Sequence, residues 1–140
     1  YRISDKIENV NIDKLHQFLS TKAYWCLGVP RLTVEKAIKN SQNFSILDED
    51  GNFLGFARAV TDYATFIFLA DVYIEPEERG KGLSKLLMRY IMDYPAVENI
   101  RTWTLLTKDA HVLYEQIDWV YLDSCKNVMR NRPVKNFYGP

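Results

Sequence analysis

The residues with the clearest capacity for chemistry form a short glycine-containing turn, Arg79-Gly80-Lys81-Gly82-Leu83-Ser84. An apolar run precedes this turn and a striped, helix-like pattern follows it, so the turn leads into a helix N-terminus. The first N–H groups of a helix lack intrahelical acceptors, and the helix dipole adds roughly half a positive charge there. The two glycines let an anion approach the backbone, and Arg79 and Lys81 add positive charge. The turn therefore predicts a polyphosphate site.

Two common phosphate-binding motifs do not fit this turn. The nucleotide P-loop requires the spacing G-x-x-x-x-G-K-[ST], which does not occur in the chain. The dinucleotide fingerprint G-x-G-x-x-G requires a third glycine, whereas the chain continues from Gly80 as Gly-Lys-Gly-Leu-Ser-Lys. The pattern that does occur is R-x-x-G-x-S, formed by Arg79, Gly82 and Ser84.

The R-x-x-G-x-S pattern resembles [QR]-x-x-G-x-[GA], the pyrophosphate-binding motif of the GNAT superfamily of N-acetyltransferases. Ser84 stands where the family usually has Gly or Ala; it is small and keeps its backbone N–H. The resemblance implies acetyl-CoA as the cosubstrate, with its pyrophosphate on the turn. It also implies pantetheine contacts at Val72, Tyr73 and Ile74. The alternative is a glycine-containing turn with no ligand.

A second segment, from Thr107 to Trp119, is similar to the family's A-x-x-[FL]-Y-x-x-x-G-F pattern. Its matching positions are Ala110, Leu113, Tyr114 and Trp119. Asp118 replaces the glycine, and Asp tolerates the left-handed geometry after a helix at some cost. Thr107 takes the place of an asparagine often found there, and its hydroxyl is a candidate for the same ligand contact.

The resemblance makes Tyr114 the general acid. Attack of an amine on a thioester expels a thiolate, and a nearby phenol can donate a proton to it. Periodicity alone would instead favour a core tyrosine on an amphipathic helix. The resemblance favours a hydroxyl that faces the ligand.

The sequence identifies the general base less clearly than the general acid. The strand glutamate that some relatives use corresponds to Phe68 when the phosphate motifs are aligned. Asp71, inside an apolar strand, and Asp62, at a strand end, are tentative candidates. Each is also explained as a hydrogen-bonded structural carboxylate, and Arg58 needs one of them as a partner. His111 is a further candidate for the base.

The elements that must position these residues surround the turn. Phe66 to Ile74 reads as a strand covered on both faces. The following helix has an apolar stripe, formed by Leu83, Leu86, Leu87, Tyr90, Ile91 and Tyr94. Ile100 to Leu106 is the next strand, and a right-handed crossover makes it parallel to the first. The resemblance implies that these two strands splay apart to admit pantetheine.

The upstream part of the chain predicts three antiparallel strands and two helices. The strands are Tyr1–Ser4, Phe44–Leu47 and Phe53–Val60, the last two joined through Asp50-Gly51. Asn9 or Asn11 is expected to cap the first helix, and Thr33 the second, which ends near Asn40. A final strand is expected at Cys125–Arg130.

Tyr24, Trp25 and Leu27 lie between the two upstream helices, where polar residues are usual. They either plug the core or form a wall of the acceptor pocket. The resemblance favours the wall, because GNAT proteins cover the acceptor with this loop. Tyr63, in the turn before the central strand, is a further substrate-binding candidate. The aromatic rings suggest an apolar or cationic acceptor group.

Composition limits the remaining choices. A length of 140 residues with 47% hydrophobic content predicts one domain over residues 1–140, and the resemblance implies that it is a single acetyltransferase domain. The 18 acidic and 18 basic residues balance, which gives no reason to expect nucleic-acid or membrane binding. There is no long apolar stretch or signal peptide, and Cys26 and Cys125 have no metal-ligand spacing. A cytoplasmic protein with reduced thiols and no metal is expected.

The combined prediction is an α+β domain with the GNAT fold: a mixed, mostly antiparallel sheet with a splayed parallel pair and about four helices. It would move the acetyl group of acetyl-CoA directly to a primary amine on a small molecule, peptide or protein. A homodimer is left open. The alternative is a non-catalytic CoA-binding or interaction module on the same fold, and a structural domain with no ligand is more remote.

Overall fold

A five-stranded mixed sheet forms the centre of the computed structural model, which describes residues 1–120, 122, 126, 128, 129 and 138. Its strands are β1 (Arg2–Ser4), β2 (Gln42–Leu47), β3 (Phe53–Thr61), β4 (Phe66–Ile74) and β5 (Thr102–Leu105). They lie in sequence order; β1 to β4 are antiparallel, and β5 is parallel to β4. The expected α+β class and strand order are confirmed. The strand expected at Cys125–Arg130 lies largely outside the described residues.

In the described part of the chain, four α-helices accompany the sheet. They are α1 (Ile12–Thr21), α2 (Arg31–Lys39), α3 (Leu83–Met92) and α4 (His111–Glu115). Asn11 caps α1, its Oδ1 accepting from the Lys14 N–H at 3.1 Å. The expected Thr33 cap on α2 is wrong, because the helix already begins at Arg31, directly after Pro30. A proline has no N–H to satisfy and fixes φ near its helical value, which favours a helix start at this point.

The two faces of the sheet carry separate apolar cores, as alternation along a strand requires. On one face, Phe44, Ala57 and Ile67 pack with the buried side of α3. On the other, Phe56 and Tyr73 pack with residues of α1 and α2.

The buried side of α3 differs from the expected stripe. Leu86 and Tyr90 are exposed, whereas Met88 is fully buried together with Leu87 and Ile91. A helix resting on a flat sheet buries only part of its circumference. Leu86 and Met88 flank the Leu87–Ile91 line on opposite sides, and the sheet lies on the side of Met88.

β4 is irregular at Asp71. Arg58 pairs with Ala70 and Phe56 pairs with Tyr73, so one residue of β3 faces two residues of β4. This is a β-bulge, and Asp71 has φ 54° within it. The expectation that β4 is covered on both faces holds only in part, since Phe66 is exposed.

The parallel pair separates after a short stretch of pairing. β5 pairs with β4 only from Phe66–Thr102 to Leu69–Leu105, whereas β4 continues to Ile74. Within the described part of the chain, residues 70–74 therefore have no strand partner on the β5 side. Every second backbone N–H and C=O along this segment points to that side and is open to a ligand.

Candidate active site

The glycine turn between β4 and α3 presents backbone N–H groups at an open surface. Gly80 and Gly82 have φ of 78° and 80°, and a Cβ added to either would meet no atom within 4 Å. α3 begins at Leu83. Among the described residues, the N–H groups from Gly80 to Lys85 have no hydrogen-bond acceptor, because the first helical bond runs from Leu86 N–H to the Gly82 carbonyl. This geometry suits a bound anion.

The two basic residues of the turn are held differently. Arg79 Nε donates to the Ile74 carbonyl at 3.1 Å, which anchors the guanidinium at the end of β4. Lys81 Nζ lies 3.0 Å from Glu78 Oε2, so a neighbouring carboxylate partly offsets its charge. Arg79 is therefore the better placed of the two to support an anion on the turn.

A cleft of about 430 Å³ lies between this turn and α4. The sequence-predicted residues that line it are Ile74, Arg79, Gly80, Gly82, Leu83 and Ser84. Four other predicted contacts are not part of its lining: Val72, Tyr73, Lys81 and Thr107. Sequence analysis did not assign three lining residues of α4 and its C-terminal end, Val112, Leu113 and Gln116. The one available signal was Leu113, which occupies the [FL] position of the second motif.

Tyr114 lies on α4, one residue after the cleft-lining Leu113. Its ring is 8% exposed and packs edge-on against Trp119, with centroids 6.1 Å apart. In the described part of the structure its hydroxyl has no hydrogen-bond partner. Burial raises the pKa of Tyr114, which keeps the phenol protonated at neutral pH.

The segment around Tyr114 adopts the expected local geometry. Asp118 has φ 70°, as expected for a residue in place of the family's glycine. Thr107 Oγ1 accepts from the Ala110 N–H at 3.0 Å and so supports the start of α4. His111 is the first residue of that helix and is half-buried.

Asp71 is the carboxylate that pairs with Arg58. Its Oδ2 lies 2.8 Å from Arg58 Nε, and Arg58 Nη1 donates to Ser41 Oγ at 3.1 Å. The second carboxylate oxygen, Oδ1, accepts from Trp25 Nε1 at 3.3 Å. The cluster joins β3, the bulge of β4 and the segment between α1 and α2.

Asp62, by contrast, stabilises the turn between β3 and β4. Its Oδ1 accepts from the backbone N–H groups of Ala64 at 2.9 Å and Thr65 at 2.7 Å, and its Oδ2 accepts from Thr65 Oγ1 at 2.6 Å. The hydroxyl and backbone donors of Thr65, with the N–H of Ala64, hold the pKa of Asp62 far below its usual range. Next to it, Tyr63 has φ 61° and donates its hydroxyl proton to Gln42 Oε1 at 3.0 Å.

The acceptor loop, which we define as residues 22–30, keeps its aromatic rings at the surface. Tyr24 is 53% exposed and Trp25 37%, so the interpretation that they plug the core is wrong. The buried residues of this loop are the smaller Ala23 and Val29. Lys108, between β5 and α4, lies with Nζ 5.4 Å from the centroid of the Tyr24 ring. Sequence analysis missed this contact, which joins residues far apart in the chain.

Comparison with known proteins identifies the family. Residues 40–121, more than half of the chain, match the profile of the acetyltransferase (GNAT) domain. The chain belongs to the GNAT acetyltransferase family. It is therefore an acetyltransferase by family and needs an acceptor substrate.

Individual relatives agree with this assignment. A GNAT-family protein of Xanthomonas campestris pv. campestris, of known structure, is 34% identical with a TM-score of 0.92, over 99% of this chain and 96% of its own. An uncharacterized N-acetyltransferase of Pyropia yezoensis is 27% identical, over 81% of this chain and 67% of its own length. The glucosamine-6-phosphate N-acetyltransferase of Arabidopsis thaliana shares the fold, with 17% identity, a TM-score of 0.64 and coverage of 94% and 97%.

The described residues contain neither a membrane-spanning helix nor a metal-binding cluster. None of the helices there is long and apolar enough to span a membrane. The same residues contain no group of His, Cys, Asp and Glu side chains arranged to hold a metal ion.

Proposed function

We propose that this protein, with residues 1–140 acting as a single domain, transfers the acetyl group of acetyl-CoA directly to a primary amine. One observation carries the proposal: the glycine turn, whose N–H groups have no acceptor among the described residues, borders a cleft that reaches β4 at Ile74, the end that β5 does not pair with. An anion site and an open strand edge next to each other suit a ligand with a pyrophosphate and an amide-containing arm. Acetyl-CoA has both and supplies the activated acyl group.

Each part of the site has a role in binding. The N–H groups from Gly80 to Lys85, with Arg79 beside them, would hold the pyrophosphate. The open backbone groups of residues 72–74 would bond to the amides of the pantetheine arm. The side chain of Tyr73 packs into the core with Phe18 at a centroid distance of 4.3 Å, and its carbonyl oxygen lies beside Gly55 of β3. In this proposal Val72 and Ile74 therefore carry the backbone contacts.

Tyr114 serves as the general acid in this proposal. Its elevated pKa keeps a proton available at neutral pH, and its hydroxyl is not committed to a described partner. It directly follows Leu113 of the cleft wall, and in this proposal its hydroxyl faces the thioester end of the ligand. The departing thiolate would take the phenolic proton, and bulk water would restore it.

The amine would enter beside the acceptor loop. Tyr24 and Trp25 expose aromatic faces there, and Tyr63, at the β3–β4 turn, remains a further substrate-binding candidate. Asp62 is a poor base, since four donors stabilise its ionised form and its pKa is strongly lowered. In this proposal, water accepts the proton of the incoming amine.

A second candidate function is CoA binding without catalysis. The burial of the Tyr114 ring among core residues favours it, because a purely structural tyrosine would look the same. Both functions require CoA at the glycine turn. They differ in whether the Tyr114 hydroxyl is used.

The test combines an amine panel with one substitution. Purified protein, acetyl-CoA and a panel of primary amines are assayed by release of the CoA thiol. For the best amine, Tyr114→Phe should lower kcat and kcat/KM together by roughly 10²-fold, the usual contribution of a general acid. CoA affinity should change less than about tenfold, since at most one hydrogen bond is lost.

The matched control is Tyr94→Phe, which removes the hydroxyl that donates to Asp5 Oδ2 at 2.8 Å, away from the cleft. Its turnover should remain within about twofold of the parent protein, as expected for a distant hydroxyl. Full turnover by Tyr114→Phe would exclude it as the acid. Tight CoA binding with no turnover of any amine would favour the binding module.

A further inference from the structure

The acceptor loop contacts β4 and the segment that follows β5. On the β4 side, Trp25 Nε1 donates to Asp71 Oδ1 at 3.3 Å. On the β5 side, the Lys108 ammonium lies over the Tyr24 ring at 5.4 Å. The Tyr24 and Trp25 rings meet edge to face, with centroids 5.0 Å apart. The two aromatic residues therefore form a bridge between the parts of the chain that follow the end of β4–β5 pairing.

A chain of polar contacts that runs from α2 through β3 fixes the side chain of Asp71. Arg58 Nε binds Asp71 Oδ2 at 2.8 Å, Arg58 Nη1 donates to Ser41 Oγ at 3.1 Å, and Ser41 Oγ donates to the Ala37 carbonyl at 2.7 Å. The side chains of Arg58 and Asp71 are only 17% and 12% exposed. The contacts thus connect α2 through β3 and β4 to the acceptor loop.

The backbone of β4 forms its bulge at Asp71, the residue that carries this carboxylate. Asp71 has φ 54° in the bulge, a conformation that costs free energy for any residue except glycine and persists where surrounding contacts hold it. The Asp71 carboxylate binds Arg58, which lies two residues after Phe56 on β3, and Phe56 packs in the core with α1 and α2. The carboxylate is therefore on the face of the sheet that carries the acceptor loop.

We propose that Asp71 is a positioning residue that fixes the acceptor loop through Trp25, and that it does not take the proton of the amine. Each carboxylate oxygen already accepts from a donor of the protein, Oδ1 from Trp25 and Oδ2 from Arg58. Protonation would neutralise Asp71 and leave the largely buried Arg58 without its counter-charge. That the loop forms a wall of the amine pocket rests on the proposed function, whereas the contact between Trp25 and Asp71 does not.

The first test measures the attachment without any substrate. Trp25→Phe keeps a six-membered aromatic ring and the Asp71–Arg58 pair, and it removes the indole N–H together with the five-membered ring that carries it. Asp71→Asn tolerates the positive φ but offers one acceptor oxygen to two donors. Hydrogen–deuterium exchange of peptides covering residues 22–30 should become at least about fivefold faster in both variants, as the loss of one hydrogen bond implies.

The matched control for exchange is Trp103→Phe, which also removes one indole N–H, here donating to the Ile100 carbonyl at 2.8 Å. It should leave exchange in residues 22–30 unchanged. The double variant Trp25→Phe/Asp71→Asn should exchange there no faster than the faster single variant, because both changes act on one contact. Unchanged exchange in residues 22–30 of Trp25→Phe would overturn the proposal, and so would an equal rise across the whole chain.

The second test separates positioning from proton transfer, using the amine with the highest turnover in the panel above. A misplaced pocket wall should raise KM for this amine by about fivefold and leave kcat within about twofold in Trp25→Phe. The pH profile of kcat/KM should keep its acidic limb in Asp71→Asn. Loss of that limb would make Asp71 the base and overturn the proposal. If no amine in the panel reacts, the proposed function fails, and the exchange experiment still decides the attachment.

Discussion

At the residue scale, Cys26 illustrates how position controls reactivity. Its thiol is half-buried in the acceptor loop, and its Sγ donates to the Leu19 carbonyl at 3.4 Å. Burial, and next the charge of Asp71, raise the pKa of Cys26 to about 11. A thiol that stays protonated at neutral pH is a poor nucleophile, so Cys26 is not a candidate for covalent catalysis.

Cys26 should therefore react slowly with iodoacetamide in the native protein. Its alkylation, followed by peptide mass spectrometry, should rise toward pH 11 and not near pH ~9, the ordinary range of a free thiol. Urea-unfolded protein is the control and should react at the lower pH. Between those pH values the native thiol binds more protons than the unfolded one, so this group makes stability fall as pH rises. Equal native and unfolded rates at pH 8 would contradict the assignment.

At the element scale, the strand–turn–helix unit β4–α3 depends on two glycines in left-handed conformation. Gly82 and Gly51 have almost the same φ, 80° and 83°, and a Cβ at either meets no atom within 4 Å. Their substitutions should therefore cost similar stability. They differ in location, since Gly82 lines the cleft beside α4 and Gly51 lies in the β2–β3 turn.

Gly82→Val should lower CoA affinity at least about tenfold, because its side chain occupies the space where the phosphates would approach the turn. Gly51→Val, the matched control, should bind CoA like the parent protein. Isothermal titration measures both, and circular dichroism checks that each variant is folded. Undiminished CoA binding by folded Gly82→Val would mean that the phosphates bind elsewhere.

The contact between β3 and β4 gives a second prediction at this scale. A Cβ on Gly55 would lie 2.8 Å from Ile74 Cδ1 and 3.0 Å from the Tyr73 carbonyl oxygen. The backbone oxygen cannot move away without disturbing the ladder, so Gly55→Ala should lower the free energy of unfolding by roughly 1–3 kcal/mol. Urea denaturation of the variant and of the parent protein measures the loss. Parent-like stability of Gly55→Ala would contradict this close approach.

At the scale of the whole molecule, a ligand that binds the native protein should stabilise it against unfolding. Ligand at 100 times its dissociation constant adds about 2.7 kcal/mol to the native state. CoA and acetyl-CoA should therefore raise the melting temperature by several degrees, roughly 2–4 °C per kcal/mol for a chain of this size. ATP and NAD should raise it far less, since they lack the pantetheine arm that would use residues 72–74. An equal rise in melting temperature with ATP would indicate a site that recognises phosphate groups and not the pantetheine arm.

The sequence by itself determined the local geometry around the candidate site. The bounds of β4, Phe66–Ile74, follow from its β-branched and aromatic run and from Pro76, which cannot donate to a ladder. The left-handed turn glycines and the left-handed Asp118 follow from which side chains tolerate positive φ. These properties depend on a few neighbouring residues, so they can be predicted from the chain alone.

Only the tertiary structure decided the contacts between distant segments. Asp71 and Asp62 were equal candidates to pair with Arg58, until the bulge in β4 brought Asp71 within 2.8 Å. Trp25 was assigned to the core or to a pocket, and its place depends on Asp71, 46 positions later in the chain. Such contacts are set by how the sheet, helices and loops pack together. No local pattern of residue types encodes that packing, and here it shapes the acceptor side of the site.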